Sequence, residues 1–486
     1  MRLIGPPKKI NWSEILMGIT TDSNKLYKLS LWTITFACVL VVIFHGPQMG
    51  RDTLDYLSGT ILRPPLPCLL FDLFRLVLGS KYATGYLLFQ TAAVLWACYY
   101  FTETLRHTAK TGNLFAVAIF AIAVSPIVNG WITCYLLSEA VSYSLFLISF
   151  ALLAQLLETL NNKKLFILAV VIVINMLNRP QMVFAYGMYV PAVFYLFIHQ
   201  KRFMKSILPV MLWVVAPMLI YVTAECGYNL IRHGHFSRSD FTGQNQVAAY
   251  LLYLSNKDDL NLFSGKQYYP AMERIYSEMD TFRLFAKYRH DADMNYAAYV
   301  DSGIRPIGIY NATSARCDII YWHTLVRNLY THESGMNVSR KEWMEASVID
   351  YAGSGKWIAI RNIAIDITHT LFQHHWLDYI KLMGSKLKNY LPPYALVLVL
   401  LLSSMPLLRE GHTTEFMSFS AIFSALNLLL LSSCVSLIPR LTFYTDILLF
   451  ECSLLFACEL YKTGRGQPTY SSTSPCDPLS KEATQG

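Results

Sequence analysis

The chain has 486 residues, of which 54% are hydrophobic, 14% aromatic and only 15% charged, a balance more apolar than soluble globular domains carry. Its formal net charge of +8 is spread in short basic clusters between apolar runs. That pattern gives no continuous basic face, so no nucleic-acid partner is expected, and a polytopic membrane protein remains.

In chain order, residues 1–28 form a polar cytoplasmic segment. The apolar run that follows has this long polar stretch before it and no small-residue cleavage site after it, so it is expected to be an anchor rather than a signal peptide. A bilayer is crossed by about 20 mostly apolar residues. Ten such spans are expected, centred on residues 31–44, 85–104, 114–128, 140–157, 165–177, 183–198, 207–223, 391–408, 417–437 and 442–460. The stretch around Arg179 can also be read as one broken helix.

The resulting layout puts spans one to seven in residues 29–225, with a first outer loop at 46–82. Residues 226–390 form an extracytoplasmic domain, and 391–461 hold spans eight to ten. Residues 462–486, rich in Ser, Thr, Pro and Gly, are a cytoplasmic tail expected to be disordered. The expected fold class is all-α and polytopic, with amphipathic helices in the first outer loop and a mainly helical outer domain.

Orientation follows from the basic residues of the short loops. Arg2, Lys8, Lys9, Lys25, Lys28, Arg106, Lys110, Lys163, Lys164, Lys201, Arg202, Lys205, Arg409, Lys462 and Arg465 share one face. The positive-inside rule makes that face cytoplasmic and places both termini there. Most of the ten cysteines lie in apolar runs, where they act as small hydrophobes. Cys68, Cys226 and Cys317 are the main outer ones, and a Cys226–Cys317 disulfide is open to them in an oxidising compartment. Late in the outer domain, "IAIRNIAIDITHTLFQHHWLDYIKLMGSKLKNY" spaces its apolar residues as an amphipathic helix that lies along the membrane surface.

The chemistry-bearing residues gather on the outer face. In "RDTLDYLSGTILRPPLPCLLF", Asp52 and Asp55 stand three apart and share a face if the segment is helical. Arg63 and two prolines follow, and then an apolar amphipathic stretch suited to the interface. Glu139 falls at the outer end of the fourth span, Arg179 at that of the fifth, and Arg440 and Tyr444 at that of the tenth. Ionisable groups at such depth are costly unless they pair or face a wet cavity, which a shared site provides. Taken singly, each is also an ordinary helix-end residue, with arginine reaching toward headgroups. Together they pair aspartate, which can deprotonate a hydroxyl, with arginine, whose planar fork suits a phosphate. That combination fits transfer of a sugar from a lipid phosphate, because the phosphate leaves as an anion and needs cations more than a general acid.

Other signals are weaker. His233 and His235, and His374 and His375, have no accompanying carboxylate or cysteine pattern, so neither a metal site nor any other cofactor is expected. "GSGK" at 353–356 lacks the leading glycine of a phosphate-binding loop and reads as a turn. Asn311 and Asn337 head glycosylation sequons, which matter only in a secretory pathway that uses them.

Asp-Thr-x-x-Tyr at Asp52 to Tyr56, followed by "RPPLP" and an apolar interfacial helix, resembles the first outer loop of the C-type integral-membrane (GT-C) glycosyltransferases. The likeness is to bacterial members that use polyprenyl-phosphate sugars. "SEAVSYSLF" at 138–146 is similar to their Ser/Thr-Glu segment, "NRPQM" to their Arg-Pro motif and "PRLTFY" to their arginine–aromatic motif. Gln181 stands where an acidic residue is common, and Leu441 to Phe443 separate Arg440 from Tyr444. The resemblance covers the membrane portion in order and topology, while the outer domain resembles no family.

The resemblance implies an inverting transferase in a bacterial inner membrane with its site facing the periplasm. Asp52 would be the general base, with Asp55 its rival. Glu139 would orient acceptor or sugar, Arg63, Arg179 and Arg440 would hold the donor phosphate, and Tyr56 and Tyr444 would contact substrate. The donor would be a polyprenyl-phosphate-linked sugar, and the acceptor an extracytoplasmic glycan such as surface polysaccharide or lipopolysaccharide. Two other readings stay open. An O-antigen-type polymerase or ligase would keep its catalytic groups in the large outer domain. A transporter or flippase would need related halves and charges near mid-bilayer, and the sequence suggests neither.

Overall fold

The computed structural model describes residues 23–129, 132–200, 207–239, 242–291, 316–317, 319–339, 342–343, 353–390, 412–434 and 439–464. Over these the chain is all-helical, with no strand. Residues 465–486 of the expected disordered tail, the eighth span at 391–408, the sequon at Asn311 and the side chain of Arg440 fall outside that description, while 462–464 of that tail are helical.

The first half runs α1 (Ser23–His45), α2 (Arg51–Ser58), α3 (Pro65–Leu78), α4 (Tyr82–Thr108), α5 (Asn113–Asn129), α6 (Glu139–Thr159), α7 (Asn162–Asn178), α8 (Val183–His199) and α9 (Ile207–His233). The part expected to lie outside the membrane, called the outer unit for that reason, holds α10 (Thr242–Leu254), α11 (Tyr269–Thr281), a π-helical turn at Ile320–Val326 that continues into α12 (Arg327–Ser334), and α13 (Ser354–Tyr390). Two further helices, α14 (His412–Cys434) and α15 (Pro439–Gly464), complete the bundle.

Among the described residues four stretches are long and apolar enough to cross a membrane: Asn24–His45, Glu139–Thr159, Pro180–His199 and Ile207–His233. The expected spans at 85–104, 114–128 and 165–177 fall on helices that are shorter or less apolar, and those at 417–437 and 442–460 fall on α14 and α15, parts of which lie outside the described residues. Four helices of spanning grade among the described residues thus support a helical membrane protein by length and composition, and they do not reach the count of ten. Burial sorts these helices by place. In α6, 83% of the most apolar window is buried, against 17% in α9. α9 leaves Leu208, Leu212, Leu219 and Ile220 bare, an apolar face that needs lipid rather than water.

Local chemistry sets the breaks that matter. Pro180 disfavours helical geometry in the residue before it, and Arg179 is extended at φ −153°, ψ 107°. The chain around Arg179 is thus two helices joined by the turn Pro180–Met182, which turns Arg179 out of the helical ladder. α2 ends at Gly59, whose φ of 61° lies in the left-handed region that glycine enters without strain. A second reason for glycine lies across the interface, since a Cβ there would stand 2.3 Å from the guanidinium of Arg232.

Two apolar cores form. The bundle core draws on α1 to α9, α14 and α15. The outer core gathers Leu251, Met272, Ile275, Leu325, Trp357 and Ile360 among others, together with Ile61 from the first outer loop. The outer segment is thus mainly helical where described. α9 runs past the expected boundary at 226 to His233, so Cys226 is a helical residue. Cys226 and Cys317 are both buried with no disulfide between them, which overturns that pairing.

One buried group was unexpected. Glu451 sits in the middle of α15, fully buried, with neither carboxylate oxygen hydrogen-bonded. An ionisable side chain does lie deep in the bundle, against the expectation of none.

Candidate functional site

The first outer loop is fixed before its charges are placed. Gln48 N donates to Cys134 O at 2.8 Å and Leu136 N to Gln48 O at 3.0 Å, joining this loop to the segment that leads into α6. Thr53 Oγ accepts from Gly50 N at 3.0 Å, capping α2, and donates to Leu136 O at 2.9 Å. Gln90 of α4 donates to the carbonyls of Thr133 and Tyr135 from below. Each anchor ties a backbone group of the loop or of the segment before α6 to a fixed partner, which holds the loop in one place.

On that frame α2 presents Asp52 and Asp55 on one face. The left-handed Gly59 and the turn closed by Arg63 N to Thr60 O at 3.0 Å bring the chain back over them. Arg63 then donates through Nη2 to Asp52 Oδ1 at 2.7 Å, and through Nε and Nη2 to Asp55 Oδ2 at 3.1 and 2.5 Å. Its guanidinium also lies 5.2 Å from the centre of the Tyr56 ring. Burial disfavours the Arg63 charge, yet Asp52, Tyr56 and Asp55 outweigh it and hold its pKa above the ordinary arginine value. The two aspartates differ in access: the Asp52 side chain is 28% exposed and that of Asp55 only 2%.

Across from this triad a second pair is built by α6 and α7. Arg179 Nη1 meets Glu139 Oε1 at 3.0 Å, and both side chains are nearly buried. Gln181 accepts from Arg179 Nε at 3.0 Å, so it steadies the arginine without a charge. The two sets meet at Tyr56, whose hydroxyl lies 3.0 Å from Ser138 Oγ, one residue before Glu139. Burial pushes the Tyr56 hydroxyl pKa up, so it serves as a neutral hydrogen-bonding group.

The structure thus brings together Asp52, Asp55, Tyr56, Arg63, Glu139 and Arg179. It does not bring Tyr444 to them. Tyr444 is fully buried against Phe146 and Tyr143, with ring centres 5.1 and 6.2 Å away. Those partners lie four and seven residues beyond Glu139 in α6, about 6–10 Å deeper at the helical rise. Arg440 stands in the first turn of α15, one turn before Tyr444.

Three residues that the sequence reading missed support the site, two of them beside the pair. Asn178 donates to Ser138 O at 2.8 Å, which points its amide oxygen the other way, and that oxygen is buried with no hydrogen-bond partner. One turn below, Asn175 accepts from Ser142 Oγ at 2.7 Å. The signal was present in "VINMLNR", where two amides three apart in an apolar helix must face a polar interior. Arg232 is the third. It pairs with Asp72 at 2.6 Å and lies against Gly59, tying the end of α9 to the first outer loop.

Among the described residues no three His, Cys, Asp or Glu side chains converge as metal ligands. His375 pairs instead with Asp259 at 2.9 Å in the outer unit, and "GSGK" forms the entry to α13. Three carboxylates, two arginines and a neutral phenol within one largely buried cluster can take a proton from a hydroxyl and hold an anion.

No family model, curated protein or solved structure matches the chain. The functional reading stands on this geometry and on the motif resemblance.

Proposed function

We propose that the chain is an integral-membrane inverting glycosyltransferase that moves a sugar from a polyprenyl-phosphate donor to an extracytoplasmic glycan. The observation that carries the reading is Arg63 clamped on Asp52 and Asp55 beside the Glu139–Arg179 pair, with Tyr56 and Ser138 between them.

Asp52 is the base, because it keeps solvent access while Asp55 is enclosed. It takes the proton of the acceptor hydroxyl as that oxygen attacks the anomeric carbon from the face opposite the phosphate. The bond from the anomeric carbon to the phosphate oxygen breaks in the same displacement, and the polyprenyl phosphate departs as an anion stabilised by arginine. Arg63 is held by carboxylates in the resting protein, so the singly charged donor phosphodiester shares its fork on binding, and the second charge that develops on the phosphate as the bond to the anomeric carbon breaks draws Arg63 from Asp52. Glu139, fixed by Arg179, accepts from a hydroxyl of sugar or acceptor. A bacterial inner membrane with the site on its outer side is the setting that accommodates this donor and acceptor.

The test compares the mass and linkages of host surface glycans with the wild-type gene, Asp52→Asn and no gene, at equal membrane levels. Loss of a base of this kind lowers transfer by about 10²–10⁴. Undiminished transfer by Asp52→Asn would sink the assignment. Glu451 favours one runner-up, a transporter, because a buried carboxylate is a feature of ion-coupled transport. Substrate flux in proteoliposomes without covalent change would select that reading.

A further inference from the structure

α13 has two opposed faces, and only one of them is covered. Trp357, Ile360, Ala364, Ile367 and Leu371 are buried in the outer core, and Tyr379 continues that side. On the other side Phe372, Trp376 and Ile380 stand four apart, with Leu377 beside them. They are exposed at 42, 46, 52 and 53% in the order Phe372, Trp376, Ile380, Leu377. Lys381 follows at the stripe's edge, its ammonium in solvent and 3.0 Å from Asp378.

We propose that this stripe docks into the headgroup region of the bilayer and moors the outer unit over the Asp52–Arg63 cluster. The inference rests on the chain being membrane-embedded and not on the transfer chemistry. Three observations select lipid as the occupant. α13 packs against α14, which supplies Phe416, Met417 and Phe423 to the bundle core, so the stripe belongs to a helix already seated on the membrane part. Its make-up of a tryptophan, aliphatic residues and a flanking lysine is that of an interfacial helix. Four side chains are also far short of the roughly 800 Å² per partner that a stable dimer buries. Mooring has a reason at the site: Ile61, two residues before Arg63, is buried in the outer core, so the seat of the outer unit fixes the height of Arg63.

The test places nitroxide labels at Trp376→Cys and, separately, at Ile380→Cys in the full chain in phospholipid nanodiscs. Leu212→Cys on the bare face of α9 and Glu273→Cys on exposed α11 serve as lipid and water references, with the labelled unsubstituted protein as the blank. Expected is a severalfold excess of collisions with oxygen over a water-soluble nickel chelate at 376 and 380, as at 212, and the reverse at 273. Nickel-dominated collisions at 376 and 380, with 212 still oxygen-dominated, overturn the mooring and leave the membrane reading intact. Low collision rates with both reagents at 376 and 380 also overturn it, by showing cover from protein. Nickel-dominated collisions at 212 as well overturn the membrane reading itself.

Discussion

Removing Glu139 alone leaves the Arg179 guanidinium buried without its carboxylate, and the structure sets the size of the penalty. The pair spans 3.0 Å with side chains 11% and 6% exposed, so neither charge is well hydrated once its partner is gone. Breaking such a pair from one side costs about 3–5 kcal/mol. Gln181 still accepts from Arg179 Nε, so Glu139→Ala falls near the lower end, about 3 kcal/mol. Arg179→Ala leaves the more enclosed partner and costs about 4 kcal/mol. The double variant removes both charges and leaves no buried ion, so it costs no more than the larger single change. That corresponds to a coupling of about 3 kcal/mol, where independent sites couple within about 0.5. The assay is equilibrium unfolding in mixed micelles of rising SDS content, with all four proteins measured side by side. A double variant whose cost equals the sum of the singles, about 7 kcal/mol, would refute the buried-pair argument.

Three further outcomes follow from the same geometry. Asp55→Asn, at a site too enclosed for an acceptor hydroxyl, lowers unfolding resistance in that assay yet keeps more transfer activity than Asp52→Asn; the reverse order would exchange their roles. Gly59→Ala forces a left-handed alanine, costing about 1–2 kcal/mol. It also drives Arg232 off Asp72, worth at most about 1 kcal/mol more in so exposed a pair, and unchanged unfolding refutes this. In the outer unit Asp280 has a pKa below its usual value, because Tyr288 donates to it at 2.7 Å and Lys257 lies nearby. A lowered folded value gives stability that is complete above about pH 4 and lost as pH falls through that value. Tyr288→Phe therefore flattens the acid limb of outer-unit unfolding followed by tryptophan fluorescence, and an unaltered limb from pH 5 to 2 counts against the bond.

Much of this was legible because helix and bilayer impose short, regular rules. The three-residue spacing of Asp52 and Asp55 needed only helical periodicity to put both on one face. Pro180 marked the break at Arg179, since proline constrains the residue before it wherever it stands. Tyr444 was misplaced for the opposite reason. Nearness to Arg440 along the chain says nothing about which neighbour α15 packs against, and α6 offered Phe146 and Tyr143. Glu451 escaped notice because one carboxylate among apolar residues barely changes the average of a span, and its depth depends on the helices around it.

From the sequence alone come the all-helical class, the apolar helices of a membrane-embedded chain, the first loop with its paired aspartates and the amphipathic character of α3. All of these depend on composition and on periods of a few residues. Tertiary structure decided that Arg63 folds back onto Asp52 and Asp55, that Glu139 finds Arg179, and that Tyr56 bridges the two sets through Ser138. Ion pairs between residues forty or more apart in sequence depend on how α6 and α7 cross and on where the Gln48–Tyr135 bridge pins the first loop. No local pattern encodes that distance, because it is set by the packing of side chains that each helix brings from elsewhere in the chain.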